Sequence, residues 1–220
     1  RILTVNALSG KIDVLDAADP SRLTKVGEVS GGENTTINSV AVRHDGLAVA
    51  TVEPENKTDA GELIFFDAGA DEPGAVLGRV GVGALPDMVT ITPEGDYALV
   101  ANEGEPAEDY SVDPEGSVSV VKLPASVKAA TQADVRTADF RAFEGTLADK
   151  GVHIYGQVGA STTEAQNLEP EYIAVAGGKA YVTLQENNAV AVVDIASATV
   201  EDVWPLGYTD RREVPMDISD

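Results

Sequence analysis

The chain has 220 residues, 43% hydrophobic and 5% aromatic, and its 37 acids against 15 bases give a formal net charge of −22. That charge repels nucleic acid phosphates and anionic lipid, which excludes both as partners, and it attracts cations. The absence of cysteine excludes disulfides, thiolate nucleophiles and cysteine-ligated zinc, and no apolar run is long enough to insert in a membrane.

Frequent glycine (21) and proline (11), with Val, Ile and Thr in short bursts, predict many short strands joined by tight turns. The chain opens at Arg1, inside a strand-like run, and reads as a mature or trimmed product. Ile2 to Asn6 and Lys11 to Asp16 are its first strands, and Leu23 to Val29 the next. A fuller pattern then begins. Ser39 to Val42 turns at Asp45-Gly46 into Leu47 to Val52; Glu53-Pro54-Glu55-Asn56 follows, then Glu62 to Asp67 and Val76 to Val82.

The pattern restarts at Met88 to Ile91, which turns at Pro93-Glu94-Gly95-Asp96 into Tyr97 to Asn102. An acidic insert, Glu103 to Gly116, precedes Ser117 to Lys122, and a weakly marked strand lies near Asp134 to Phe140. A second insert, from about Pro124 to Leu168, carries Phe140, Phe143 and Leu147 at helical spacing, with Asp139 as N-cap and Gly151 after the last turn, and predicts a short helix on the rim. The third restart runs Tyr172 to Val175, Gly177-Gly178, Ala180 to Gln185, Glu186-Asn187-Asn188, Ala189 to Asp194 and Val200 to Leu206.

Recurring strand quartets of this kind are propeller blades. The fold expected is all-β: a β-propeller of four-stranded antiparallel blades, about four in this chain, with one helical insert. The blades fall at about 1–30, 37–83, 86–140 and 170–207, in a single domain over 1–220 or a fragment of one. A β-sandwich also spaces strands evenly, but it has no reason to restart one strand–turn–strand–acid pattern three times. The first copy lacks its innermost strand, and Asp217 to Asp220 stop short of supplying it. A longer protein with a ring of about seven blades is therefore expected.

Aligning the copies puts oxygen-bearing side chains in equivalent places. Asn38, Asp87 and Glu171 stand just ahead of the inner strands; Glu53, Glu103 and Glu186 end the second strands, with Glu55, Glu105 and Asn188 two positions on. Loops at those places leave a propeller on one face, so the acids are expected around one mouth of its channel. Hard cations such as Ca²⁺ suit several oxygen ligands with free geometry. The candidate metal ligands are Glu53, Asp87, Glu103, Glu105, Asp109, Asp113, Glu115, Glu169, Glu171 and Glu186. Solvated loop acids sharing a register are the other reading. The run Asp109 to Gly116 alternates oxygens but lacks EF-hand spacing.

Ala101 to Pro106, Asp109-Tyr110, Asp113 to Val118 and Leu168 to Ala174 resemble the bacterial choice-of-anchor I propellers, a family often labelled alkaline-phosphatase-like. Thr92-Pro93-Glu94-Gly95 is similar to the turns of YVTN-type repeats. The resemblance covers nearly the whole chain. It implies a bacterial protein that is secreted, periplasmic or on the cell surface, and it carries over no catalytic residue.

Other chemistry is missing. His44 and His153 are isolated, no Gly-x-Ser-x-Gly elbow or phosphate-binding glycine loop occurs, and Gly81-Val82-Gly83 lacks the third glycine of a dinucleotide fingerprint. Two functions remain. One is a binding or scaffold module of the cell envelope whose acidic face takes divalent cations, with other envelope proteins as partners. The other is a Ca²⁺-dependent phosphoester hydrolase acting on a phosphorylated small molecule. Few bases accompany those loops (Lys11, Arg43 and Lys57), which weakens the second.

Overall fold

The computed structural model describes residues 1–155 and 162–214. Fifteen strands among them form four antiparallel sheets. The first sheet has three strands: β1 (Ile2–Asn6), β2 (Lys11–Asp16) and β3 (Thr24–Ser30). The second joins β4 (Thr35–Val42), β5 (Leu47–Pro54), β6 (Ala60–Asp67) and β7 (Val76–Ala84). The third joins β8 (Pro86–Ile91), β9 (Tyr97–Asn102), β10 (Ser117–Lys122) and β11 (Val135–Ala138). The fourth joins β12 (Pro170–Ala176), β13 (Lys179–Leu184), β14 (Ala189–Asp194) and β15 (Thr199–Pro205).

In the last three sheets each strand pairs with the next in sequence, and the first strands β4, β8 and β12 lie against one another. That is the arrangement of propeller blades around an axis. Among the described residues the first sheet has three strands and none inside β1, as the sequence predicts. Residues 217–220 lie outside the described set.

The blades are held by three apolar layers, one at each junction. Ile12, Val14 and Val29 of the first sheet meet Ile37, Ala48, Ala50, Ile64 and Phe66 of the second. From the other side of that second sheet, Leu47, Val49, Leu63 and Phe65 meet Val89, Ala98, Val100 and Val121 of the third. Because consecutive strand residues point to opposite faces, β5 and β6 are apolar without alternation: both of their faces are covered. Small residues on one face (Ala48, Ala50) let the blades approach closely.

The third junction is the largest and draws in the long insert. Leu99, Ala101, Val118 and Val120 pack with Ala180, Val182, Ala191 and Val193, and Phe140, Leu147, Val152, Ala165 and Leu168 join them. The expected single helix is broken here. A 3-10 turn spans Arg141–Phe143, and a four-residue α-turn spans Leu147–Lys150. Gly145, at φ 71°, reverses the chain between them. Asp139 accepts from the Arg141 N–H at 3.2 Å, and Gly151 ends the α-turn in the left-handed conformation, so the predicted cap residues act on two short turns. Burial of Phe140 and Leu147 against the blade junction, rather than helical hydrogen bonding, fixes this path.

Candidate functional site

Each inner strand carries a β-bulge where it pairs with the second strand. The register shifts between Ile37 and Val40, between Pro86 and Met88, and between Pro170 and Ile173. Asn38, Asp87 and Glu171 sit inside these three interruptions. A bulge frees a residue from the ladder and re-aims its side chain; here the freed positions are the polar ones aligned from sequence. Neighbouring hydroxyls take up the stray donors, with Thr51 Oγ1 accepting from the Ser39 N–H and Thr183 Oγ1 from the Tyr172 N–H, both at 3.0 Å.

The loops leaving the second strands meet these bulges. Leu85, in the left-handed region at φ 46°, turns its carbonyl to accept the Glu103 N–H at 2.9 Å, and Ala84 O accepts the Gly104 N–H at 3.2 Å. These bonds pin Glu103 beside the start of β8. Glycine is required just beyond: a Cβ on Gly104 would stand 2.9 Å from the Glu115 carbonyl carbon, and one on Gly116 would stand 1.9 Å from Leu168 O. The second contact seats the acidic insert on the segment leading into β12, and Gln166 Nε2 adds a bond to Asp113 O at 2.5 Å.

The electrostatics report the convergence. Burial pushes Glu103 up to about 8, and the negative charges of Glu105, Asp87, Glu169 and Glu171 add to it. Asp87 is raised by burial and then by Glu53 and Glu105. Burial raises Glu169, a hydrogen bond from Tyr155 pulls it back, and Glu186, Glu105 and Asp113 push it up again. Glu171 is raised by burial, Glu186 and Asp87, and Asp113 by burial. Eight acids from three blades, the first insert and the segment leading into β12 therefore share one field. Two of their oxygens, Asp113 Oδ1 and Glu186 Oε2, are buried with no hydrogen-bond partner.

Partners blunt part of this charge. Asn38 Nδ2 donates to Glu53 at 3.0 Å and to Pro86 O at 3.3 Å. Lys57 Nζ pairs with Glu105 at 2.5 Å and faces Glu103 and Glu53. Two of the ten predicted acids stand apart. Asp109 is exposed and accepts from the Ser111 N–H, while Glu115 pairs with Arg141 at 2.8 Å. Among the described residues, no three His, Cys, Asp or Glu side chains form a ready-made cation cage.

Sequence reasoning missed Tyr155 and Asn187. Asn187 is fully buried, donates to His153 O at 2.9 Å and Asn167 O at 2.7 Å, and accepts from the Glu169 N–H at 3.4 Å. It fixes the backbone that carries Glu169. Asn187 lies in the predicted polar cluster, so its place was marked but not its role. His153 Nδ1 lies 3.0 Å from Glu186 O, a packing contact as expected of an isolated histidine.

The fold has relatives among solved structures. A protein from Lactobacillus plantarum matches with a TM-score of 0.60 at 15% identity, covering 92% of this chain and 53% of its own. Hydrazine synthase of Kuenenia stuttgartiensis gives 0.54 at 15% identity, covering 87% and 48%. The β-propeller domain of Cps50 (Swd1) from Myceliophteria thermophila gives 0.57 at 9% identity, covering 94% and 58%. At such identities the likeness is one of fold, and this chain spans about half the length of those structures. No curated protein matches the sequence. The model of the choice-of-anchor I domain matches residues 1–220, and with a propeller of this construction the chain belongs to the choice-of-anchor I family.

Proposed function

We propose that this chain is the propeller part of a bacterial secreted or cell-surface protein and works as a binding or scaffold module, with Ca²⁺ at its acidic mouth. The observation that carries the cation is the shared field around Glu103, whose carboxyl is pushed up to about 8 by burial and by Asp87, Glu105, Glu169 and Glu171. A carboxyl so placed holds its proton at neutral pH unless a cation replaces it. The donors are all oxygen, they come from separate loops, and Asp113 Oδ1 and Glu186 Oε2 lack partners. With no preformed cage among the described residues, the set suits Ca²⁺, which accepts about six to eight oxygens in flexible geometry, better than Mg²⁺, which demands a near-ideal octahedron. A bound Ca²⁺ would tie three blades together at the axis, giving a rigid face for partners. Family membership supports the location.

The hydrolase reading has less support. Phosphate recognition usually adds Arg or Lys donors, and Lys57, the base facing these acids, is engaged by Glu105. Calorimetric titration with Ca²⁺ tests the proposal: saturable binding, at least about tenfold weaker in Glu103→Gln and Glu171→Gln, is expected. Affinity unchanged in both variants overturns it. Ca²⁺-dependent hydrolysis of p-nitrophenyl phosphate, lost in the same variants, would replace the scaffold reading by the hydrolase.

A further inference from the structure

The opposite face of the propeller, formed by the turns within each blade, carries a second arrangement. At the junction of the second and third sheets, Arg43 follows β4 and plugs the cleft. Its side chain is 6% exposed, and its guanidinium donates to Gly95 O at 3.1 Å, to Pro124 O at 2.7 Å, and to both Asp45 oxygens at 2.8 Å. The plug lies directly over the next blade's turn: a Cβ on Gly95 would meet Arg43 Cδ at 2.8 Å.

The next junction repeats the walls with Thr92 in the position of Arg43. Thr92 follows β8 as Arg43 follows β4, and both carbonyls close the same turn, accepting from Gly46 N–H at 3.0 Å and Gly95 N–H at 2.8 Å. The walls correspond too: Leu123 N–H donates to Asp96 O at 2.8 Å, and Ile195 N–H to Gly178 O at 3.2 Å. Pro124 of one junction is therefore Ala196 of the next. Glu94 stands two residues after Thr92, as Asp45 stands two after Arg43.

Thr92 is too short to reach across, and a cavity of about 160 Å³ remains, lined by Thr92, Glu94, Asp96, Gly177, Gly178 and Ala196 among others. A Cβ built on Gly177 or Gly178 meets nothing within 4 Å. Among the described residues Glu94 has no ion-pair partner, whereas Asp45, its counterpart, is paired. Arg136 of β11 donates to Ala196 O at 2.6 Å through Nη1 and to Ile195 O at 3.3 Å through Nη2, which leaves the Ala196 oxygen a second lone pair.

We propose that this cleft receives an arginine side chain supplied by a partner polypeptide, the guanidinium taking the place that Arg43 fills within the chain. The planar five-donor fork of guanidinium matches a carboxylate beside carbonyl acceptors, and a net charge of −22 favours its approach. The site is independent of the cation-binding face.

The test is a ¹⁵N NMR titration with N-acetyl-arginine methylamide, beside its neutral citrulline analogue and free arginine. Saturable shifts at the Gly177, Gly178 and Thr92 amides, with a dissociation constant on the order of millimolar, are expected for a single small anchor. Citrulline should leave them unmoved, and Glu94→Gln should weaken the arginine response about fivefold or more. Thr92→Arg should fill the cleft from within and abolish the response. If that variant misfolds, Glu94→Gln and the citrulline arm still decide. Equal shifts with citrulline, no saturation by about 50 mM, an unchanged response in Glu94→Gln, or binding of free arginine alone overturns the proposal.

Discussion

Replacing Glu103 by Gln removes the carboxyl most disturbed by its surroundings while keeping its shape. The unfolded carboxyl titrates near 4.5 and the folded one near 8. The folded state therefore holds a proton that the unfolded state has released, and stability falls as pH rises through that window. A fully desolvated group would carry about 5 kcal/mol of such cost. Glu103 is only partly buried, and solvent screening reduces the figure to about 1–2 kcal/mol. For a chain of this size that is about 2–8 °C in Tm. Thermal melts in chelator should show Glu103→Gln matching the parent at pH 5 and exceeding it by that margin at pH 8. Added Ca²⁺ should narrow the pH 8 gap by stabilising the parent more than the variant. A variant less stable than the parent at pH 8, or equally shifted at both pH values, would refute the reasoning.

Three further outcomes follow from the packing. Phe65→Ala empties a fully buried position between the second and third sheets and should cost about 3–5 kcal/mol in denaturant unfolding. Gly116→Ala drives a methyl against Leu168 O and should lower Tm while weakening Ca²⁺ binding, because it unseats the loop that carries Asp113. Arg43→Ala leaves Asp45 and the Pro124 carbonyl without their donor and should cost about 2–3 kcal/mol, read from the same unfolding curves.

Most of the fold was legible because the strand signals are local. Leu47 to Val52 and Tyr97 to Asn102 are mostly apolar, bounded by turn residues, and recur at one register; they form β5 and β9. β11 was faint because Val135–Ala138 is an outer strand with exposed Arg136 and Thr137, so little apolar pattern marks it. The Phe140–Leu147 stripe misled for a different reason. Helical spacing records which residues are buried, not how the backbone travels between them, and Gly145 turned the path.

The site was legible where blade register fixed direction. Asp87 and Glu171 occupy equivalent positions inside the bulges of their inner strands, and Glu103 and Glu186 equivalent positions after the second strands. Asp109 and Glu115 lie in an irregular loop, where no period tells which way a side chain points; one caps a turn and the other pairs with Arg141. Tyr155 reaches Glu169 from the long insert, a contact between segments that no local pattern encodes. The cleft beside Thr92 emerges only when two junctions are laid over each other in three dimensions.

The most direct measurement is an anomalous difference map from a crystal soaked in Tb³⁺, an oxygen-seeking stand-in for Ca²⁺. Strong density among Glu103, Asp87, Glu169 and Glu171, removable by competing Ca²⁺, is the result expected. Density confined to peripheral acids such as Asp109, or none at the mouth, would contradict the account.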